Sequence, residues 1–318
     1  MKVALAQVSP VFLNRAKTLD KVLNCMTKAS NADLIVFGEA LVPGYPFWVE
    51  RTDGARFASP VQEAWHAAYQ HEAVQVERGD LDEVCAASVA LNLAVYLGVI
   101  ERPSDRGGHS LYASLVFIDQ GRVKSVHRKL MPTYEERLVW SVGDGHGLVT
   151  HDLAGFTIGG LNCWENWMPL ARSALYAQGE NLHIAVWPGS QKNTSEITRF
   201  IARESRSYVV SVSGLMRPQD WQQAQQPEGS NLVAENTWAN GGSCVANPDG
   251  TWHQEPIVDK EAVSLVELNL DSVRRARHNF DPSGHYSRPD VTQLAVNRER
   301  QSAVVFQDNA AQCKLQGE

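Results

Sequence analysis

Three residues whose types could carry out chemistry together are spread across this chain. Glu39 follows the apolar run Leu34-Ile35-Val36-Phe37-Gly38, Lys129 lies in His127-Arg128-Lys129-Leu130-Met131-Pro132-Thr133, and Cys163 follows Ile158-Gly159-Gly160-Leu161-Asn162. A thiol is a strong nucleophile only as thiolate. A carboxylate made more basic by burial can take its proton. A fixed ammonium can stabilise the anion that forms when sulfur adds to an electrophilic carbon, and the backbone N–H of Trp164 is placed to be a second donor to it. Taken singly, each has a plainer use: a cysteine after a strand as a small core residue, a strand-end glutamate as a solvated charge, a lysine in a basic run as surface. Glu39 and Cys163 each follow an apolar run closely, where an unpaired charge would be costly.

The elements that must bring them together alternate between strand and helix. Lys2–Val8 reads as a first strand. Asn14 caps a helix with an apolar face of Ala16, Leu19, Leu23 and Met26. Leu34–Phe37 is a short run suited to a strand buried on both faces. Asp80 and Glu83 have capping-box spacing before a helix carrying Val84 and Leu91. Leu93–Ile100 and Leu111–Ile118 are strands. The second turns at Asp119-Gln120-Gly121 and returns through Val123–Leu130 as a hairpin. Phe156–Leu161, Leu182–Val186 and Tyr208–Val212 are strands, with a helix bracketed by Pro169 and Gly179 and another opened by Asn193 and Glu196. Gln219–Ser230 reads as an exposed loop or lid, Val245–Trp252 as a hairpin and Val263–Leu270 as the last clear strand. This βα alternation with hairpins makes an α/β protein with a mixed sheet, and reactive groups at strand ends can meet at one sheet edge.

Composition narrows the class. With 318 residues, the chain can bury a large core. A net charge of −7 gives no general attraction to nucleic acid or to an anionic membrane. No apolar stretch reaches the roughly 20 residues of a membrane helix. The N-terminal segment lacks the apolar length and cleavage site of a signal peptide. Five cysteines, at 25, 85, 163, 244 and 313, form no C-x-x-C pair, which favours a reducing cytoplasm over a disulfide framework or zinc site. His66 and His71, like His146 and His151, lack the i, i+4 spacing of a helical metal site.

The chain resembles the nitrilase superfamily of carbon–nitrogen hydrolases, and within it the nitrilase branch. The resemblance rests on Phe37-Gly38-Glu39-Ala40 with Pro43-Gly44-Tyr45-Pro46, on His127 to Arg137, on Gly143-Asp144-Gly145, on Asn162-Cys163-Trp164-Glu165-Asn166 and on Gly284-His285-Tyr286-Ser287-Arg288-Pro289-Asp290-Val291. These occur in the family's order and span most of the chain. The Cys-Trp-Glu-Asn form and the last motif favour the nitrilase branch over the related amidases. Ser141 stands where the family often has glycine.

The resemblance implies a four-layer α-β-β-α sandwich, with a hydrolase domain over residues 1–280 and a C-terminal extension over 281–318 that contributes oligomer contacts. It implies Glu39 as general base, Lys129 as electrostatic stabiliser and Cys163 as nucleophile. Glu136 would orient the lysine, its alternative being a salt bridge to Arg137 or Arg128. The expected reaction converts a small-molecule nitrile to the carboxylic acid and ammonia through a thioimidate and a thioester, with no metal or organic cofactor. Tyr45, Tyr134, Trp164 and Trp187 are candidate substrate walls, and nine tryptophans point to an aromatic or arylaliphatic nitrile. The expected partners are the substrate and further copies of the chain, a dimer or larger, with no nucleic acid and no membrane. An amidase or carbamoylase using the same residues is the main alternative, and a non-catalytic scaffold on this fold the remote one.

Overall fold

A computed structural model of the chain describes residues 1–304; Cys313 and the rest of the extension from 305 lie outside the described residues. The strands are β1 (Lys2–Gln7), β2 (Leu34–Phe37), β3 (Ala94–Glu101), β4 (Tyr112–Asp119), β5 (Arg122–Arg128), β6 (His151–Leu153), β7 (Phe156–Asn162), β8 (Leu182–Trp187), β9 (Tyr208–Ser213), β10 (Leu215–Met216), β11 (Ala239–Ala246), β12 (Trp252–Val258) and β13 (Ala262–Glu267). The helices are α1 (Arg15–Lys28), α2 (Trp48–Arg51), α3 (Pro60–Glu72), α4 (Asp82–Ala90), α5 (Pro169–Tyr176), α6 (Gln191–Ser205), α7 (Pro218–Trp221) and α8 (Leu270–Arg277).

The strands form two sheets, ordered β13-β1-β2-β3-β4-β5 and β10-β11-β9-β8-β7-β6, with β12 paired to β11. Side chains alternate in direction along each strand. Ala4, Ala6, Ile35, Phe37, Val95 and Leu97 therefore face α1 and α4, where they meet Val22, Met26 and Val84. Their neighbours Val3, Leu5, Leu34, Val36 and Tyr96 face the other way, onto Ile158, Ile184, Val210 and Val212 of the second sheet. The outer face of that sheet is covered by α6, through Ile197 and Ile201 against Ala185 and Val209, and by α5, through Ala171 and Leu175 against Leu161. The order of layers is helix, sheet, sheet, helix, as the resemblance implied.

Three local expectations change. Asp80 and Glu83 do not form a capping box: α4 has Leu81 at its N-cap with no side-chain bond, while Asp80 Oδ2 accepts from the Gln75 amide at 2.7 Å and pairs with Arg15. Asn193 lies inside α6, which begins at Gln191 after Ser190. The last strand ends at Glu267, because Asn269 caps α8 by accepting from the Asp271 amide. The chain also contains α3, capped by Ser59 with Pro60 at its first turn, where sequence patterning had named no element.

Candidate active site

β2, β5, β7 and β8 all end at one edge of the sandwich, the first two in one sheet and the last two in the other. Glu39 follows β2, Lys129 follows β5, and Cys163 follows β7. The two sheets are joined at this edge by the Trp187 carbonyl, which accepts from the amides of Glu39 at 3.2 Å and Gly214 at 3.0 Å. The Glu39 backbone also lies against β3 at Gly98. A Cβ there would stand 2.1 Å from the Gly38 oxygen and 2.8 Å from Glu39 Cα, so only glycine lets the strand approach.

The functional groups are held in a small, buried volume. Carboxylate oxygens of Glu39 and Glu136 and the Cys163 sulfur lie within 4.8 Å of one another. Lys129 Nζ bridges the two carboxylates, 2.9 Å from Glu39 Oε1 and 2.7 Å from Glu136 Oε2. Glu39, Cys163, Lys129 and Glu136 are no more than 3% exposed. Two carboxylates and a sulfur this close could hold a divalent cation; here the bridging cation is the protein's own ammonium. The Trp140 ring lies under it, with the nitrogen 5.4 Å from the ring centre.

Burial decides the electrostatics. It pushes the Glu39 carboxyl up to about 8 against the pull of Lys129, with Glu136 adding to the rise. Burial also drives the Cys163 thiol well above its ordinary value. Lys129 and the Trp164 backbone N–H pull it down, and Glu39 and Glu136 push it up. For Lys129 burial works against the charge, but Cys163, Glu39 and Glu136 outweigh it and hold the ammonium firmly protonated. The proton of the thiol therefore has a basic carboxylate and a permanent cation beside it, in buried surroundings.

Two single-turn helices position these groups by the same device. In Tyr134–Leu138 the Glu136 carboxylate accepts from the Thr133 amide at 2.6 Å, while its other oxygen takes the Tyr45 hydroxyl at 3.0 Å. In Cys163–Trp167 the Glu165 carboxylate accepts from the Asn162 amide at 2.7 Å. Both are capping-box bonds, a glutamate returning to the amide three residues before it. Glu165 reaches further: its other oxygen accepts from the Leu130 amide at 2.6 Å, and His127 Nε2 lies 3.1 Å away. One buried carboxylate thus ties the chain beside Lys129 to the chain beside Cys163. Burial raises the Glu165 carboxyl, and His127 and the two amides more than offset it, so it stays below the usual range. Cys163 itself has φ 50°, a left-handed conformation that only a tightly determined surrounding maintains in a residue with a side chain.

The candidate walls fall into different places. Tyr45 is half-buried with its hydroxyl on Glu135 and Glu136. Trp187 is fully buried, its indole nitrogen donating to Ser211 and its ring packed in one apolar cluster with Cys163 and Ile197. Trp164 and Tyr134, 54% and 82% exposed, stand at the surface beside the reacting residues. Glu136 pairs with Lys129 and with neither arginine: Arg137 donates to the Pro132 carbonyl and Arg128 to Glu101 and Asp105. Sequence reasoning missed Glu165 as a positioning group, although Asn162 and Glu165 have the spacing of a capping box.

The count of tryptophans carries no information about substrate. Trp48, Trp65, Trp140 and Trp221 pack in one aromatic core behind the site, with Phe12, Phe47 and Tyr69. Trp187 is core as well, and among the nine only Trp164 and Trp167 are exposed.

The family model for carbon–nitrogen hydrolases matches residues 2–278. An aliphatic nitrilase of Sinorhizobium fredii is 32% identical over 309 residues, covering 96% of this chain and 98% of its own. A protein named nitrilase 2, from an unknown prokaryotic organism, is 32% identical over 310 residues, covering 96% of this chain and 95% of its own. A bifunctional nitrilase/nitrile hydratase of Lupinus angustifolius is 32% identical over 317 residues, covering 96% and 88%. Among solved structures, Saccharomyces cerevisiae Nit3, a member of branch 10 of the nitrilase superfamily, superposes with a TM-score of 0.67 at 15% identity, covering 90% of this chain and 96% of that one.

Proposed function

The chain belongs to the carbon–nitrogen hydrolase family, in its nitrilase branch, and from that premise we propose that Glu39, Lys129 and Cys163 are the groups with which it hydrolyses an organic nitrile to the carboxylic acid and ammonia. The observation that carries the assignment of roles is the convergence of two carboxylates and one sulfur within 4.8 Å, bridged by a buried ammonium.

Glu39 takes the proton of Cys163 as the sulfur adds to the nitrile carbon. The nitrogen receives that proton back from Glu39, which gives a thioimidate. A water adds next, giving its proton to Glu39. The carbon–nitrogen bond then breaks as Glu39 passes that proton, and then the remaining proton of the added water, to the nitrogen, so ammonia leaves and a thioester remains. A second water, activated by Glu39, releases the acid and restores the thiol. Two waters are consumed for one acid and one ammonia. Lys129 faces the negative charge that develops on nitrogen and then on oxygen, and the Trp164 N–H is the second donor. Glu136, fixed by the Thr133 amide and the Tyr45 hydroxyl, holds Lys129 in place.

Incubation with a nitrile and with the matching amide, measuring ammonia from each, tests this reading. Stoichiometric ammonia from the nitrile supports it. Rapid ammonia from the amide and none from the nitrile would make the protein an amidase or carbamoylase.

Two finer readings accompany the reaction. The chain forms a homo-oligomer through its outer helices, a reading supported by Trp167, Met168, Leu170 and Phe200, all exposed on or beside α5 and α6. The extension after residue 280 adds contacts through exposed Tyr286, Val291 and Leu294, while Arg300 anchors it to its own chain at Asp144. A cytoplasmic location accords with Cys25, Cys85, Cys163 and Cys244 all being free thiols. No helix among the described residues is long and apolar enough to cross a membrane.

A further inference from the structure

A line of buried polar groups that the hydrolysis does not use runs from the nucleophile into the second sheet. Asn166 Nδ2 donates to the carbonyls of Leu161 at 3.3 Å and Cys163 at 2.8 Å, straddling the turn that carries the thiol. Asn166 Oδ1 lies 2.8 Å from Nε2 of His183, in the body of β8, and His183 Nδ1 lies 3.0 Å from Glu180 Oε1. All three residues are 0% exposed. Their backbones are secured too: Arg172 donates to the Asn166 carbonyl at 2.6 Å, and Ser207 and Arg277 donate to the Glu180 carbonyl. Room for the Glu180 carboxyl comes from Gly159 on β7, where a Cβ would stand 2.4 Å from Oε1.

Donors and acceptors determine the proton pattern. The Asn166 amide turns its NH₂ to two carbonyls, so its oxygen faces His183 and Nε2 must carry a proton. Nδ1 faces the Glu180 carboxyl at 3.0 Å, a contact that holds the ring with Nε2 turned to Asn166. Nothing in the reaction requires a buried histidine and glutamate here, yet the line leads to Asn166, whose Nδ2 holds the turn that carries Cys163 at φ 50°.

We propose that Asn166, His183 and Glu180 form a positioning relay for the nucleophile. His183, as a permanent Nε2–H donor, fixes Asn166, and Asn166 fixes the Cys163 turn with the sulfur aimed between Glu39 and Lys129. This rests on the reading of Cys163 as nucleophile.

The test compares Glu180→Gln with the double variant Glu180→Gln/His183→Phe in the full-length protein. The glutamine side chain can still partner Nδ1, so the single variant keeps the line of hydrogen bonds and most of kcat. The phenylalanine keeps the ring but removes the donor to Asn166. Relative to Glu180→Gln, the double variant is expected to lose about tenfold or more in kcat, with KM within about threefold, because a misplaced nucleophile costs rate rather than affinity. Alkylation of Cys163 by iodoacetamide is expected to slow in parallel. A folded double variant with the kcat of Glu180→Gln overturns the relay, as does a single variant that loses as much as the double. If the double variant does not fold, ¹⁵N NMR of histidine-labelled wild-type protein decides: a protonated His183 Nε2 is expected, and a bare Nε2 overturns the proposal. An active Cys163→Ala protein would instead defeat the assignment of the nucleophile. An inactive Cys163→Ala with an unimpaired double variant defeats the relay alone.

Discussion

The Tyr45 hydroxyl lies 3.0 Å from Glu136 Oε1, while the other oxygen of that carboxylate holds Lys129 Nζ at 2.7 Å. A residue expected to line a substrate pocket therefore steadies the carboxylate that steadies the ammonium. Tyr45→Phe keeps the ring, its edge-on packing against Trp140 and most of the apolar burial. It is expected to lower kcat by about 5- to 30-fold, the scale of one hydrogen bond worth about 1–2 kcal/mol beside a charge, with KM little changed. Steady-state kinetics on one nitrile check it. A change confined to KM would return Tyr45 to the substrate wall.

Glu39 gives a prediction of opposite sign for stability and for activity. Its carboxyl titrates at about 8 in the fold against an ordinary value of 4.5, chiefly because burial penalises the charge. A folded value raised in this way gives stability that is complete below pH 4.5 and is lost as pH rises through about 8. Glu39→Gln removes that loss. Its Tm is expected to exceed that of the wild type by a margin that widens from about pH 5 to about pH 9. Activity runs the other way: wild-type kcat/KM rises with pH through about 8 as the base form appears, and Glu39→Gln loses about 10²-fold or more. Calorimetry and a pH–rate profile measure both halves. A margin that narrows with pH would show that ionised Glu39 is not the costly form.

Gly98 admits no side chain, since a Cβ there meets the Gly38 oxygen at 2.1 Å. Gly98→Ala must push the Glu39 backbone off β3 or break the strand. We expect a loss of about 10²-fold in kcat, on the principle that about 1 Å of misplacement is that costly, together with a lower Tm. Activity and thermal unfolding measured on the same preparation check it. A Gly98→Ala protein of wild-type kcat would show that Glu39 need not hold its place against β3.

Much of this site was legible in the chain. Glu39 and Cys163 each follow a strand, and reactive groups at the ends of neighbouring strands converge whatever their distance in sequence. The layers were less legible, since Leu34–Phe37 reads as buried on both faces without saying whether helix or second sheet covers each. The capping-box rule shows the limit most clearly. It was satisfied by Asp80 and Glu83, where Asp80 turns instead to the Gln75 amide. Around the reacting residues such bonds do form, at Thr133–Glu136 and Asn162–Glu165, in single-turn helices too short to show an apolar period. The aromatic residues misled for a related reason: composition counts tryptophans but cannot say that five of them are core, as Trp48 and Trp65 are. The partnership of Asn166 with His183 crosses from the single-turn helix after β7 to the neighbouring strand β8, and no spacing announces it.

The account turns on sulfur as the attacking atom. Intact-mass spectrometry of protein quenched during turnover of a nitrile, followed by peptide mapping, measures this directly. A covalent adduct of thioimidate or thioester mass on Cys163, absent from Cys163→Ala, is the expected result. An adduct on Cys25, Cys85 or Cys244, or undiminished ammonia release by Cys163→Ala, would contradict it.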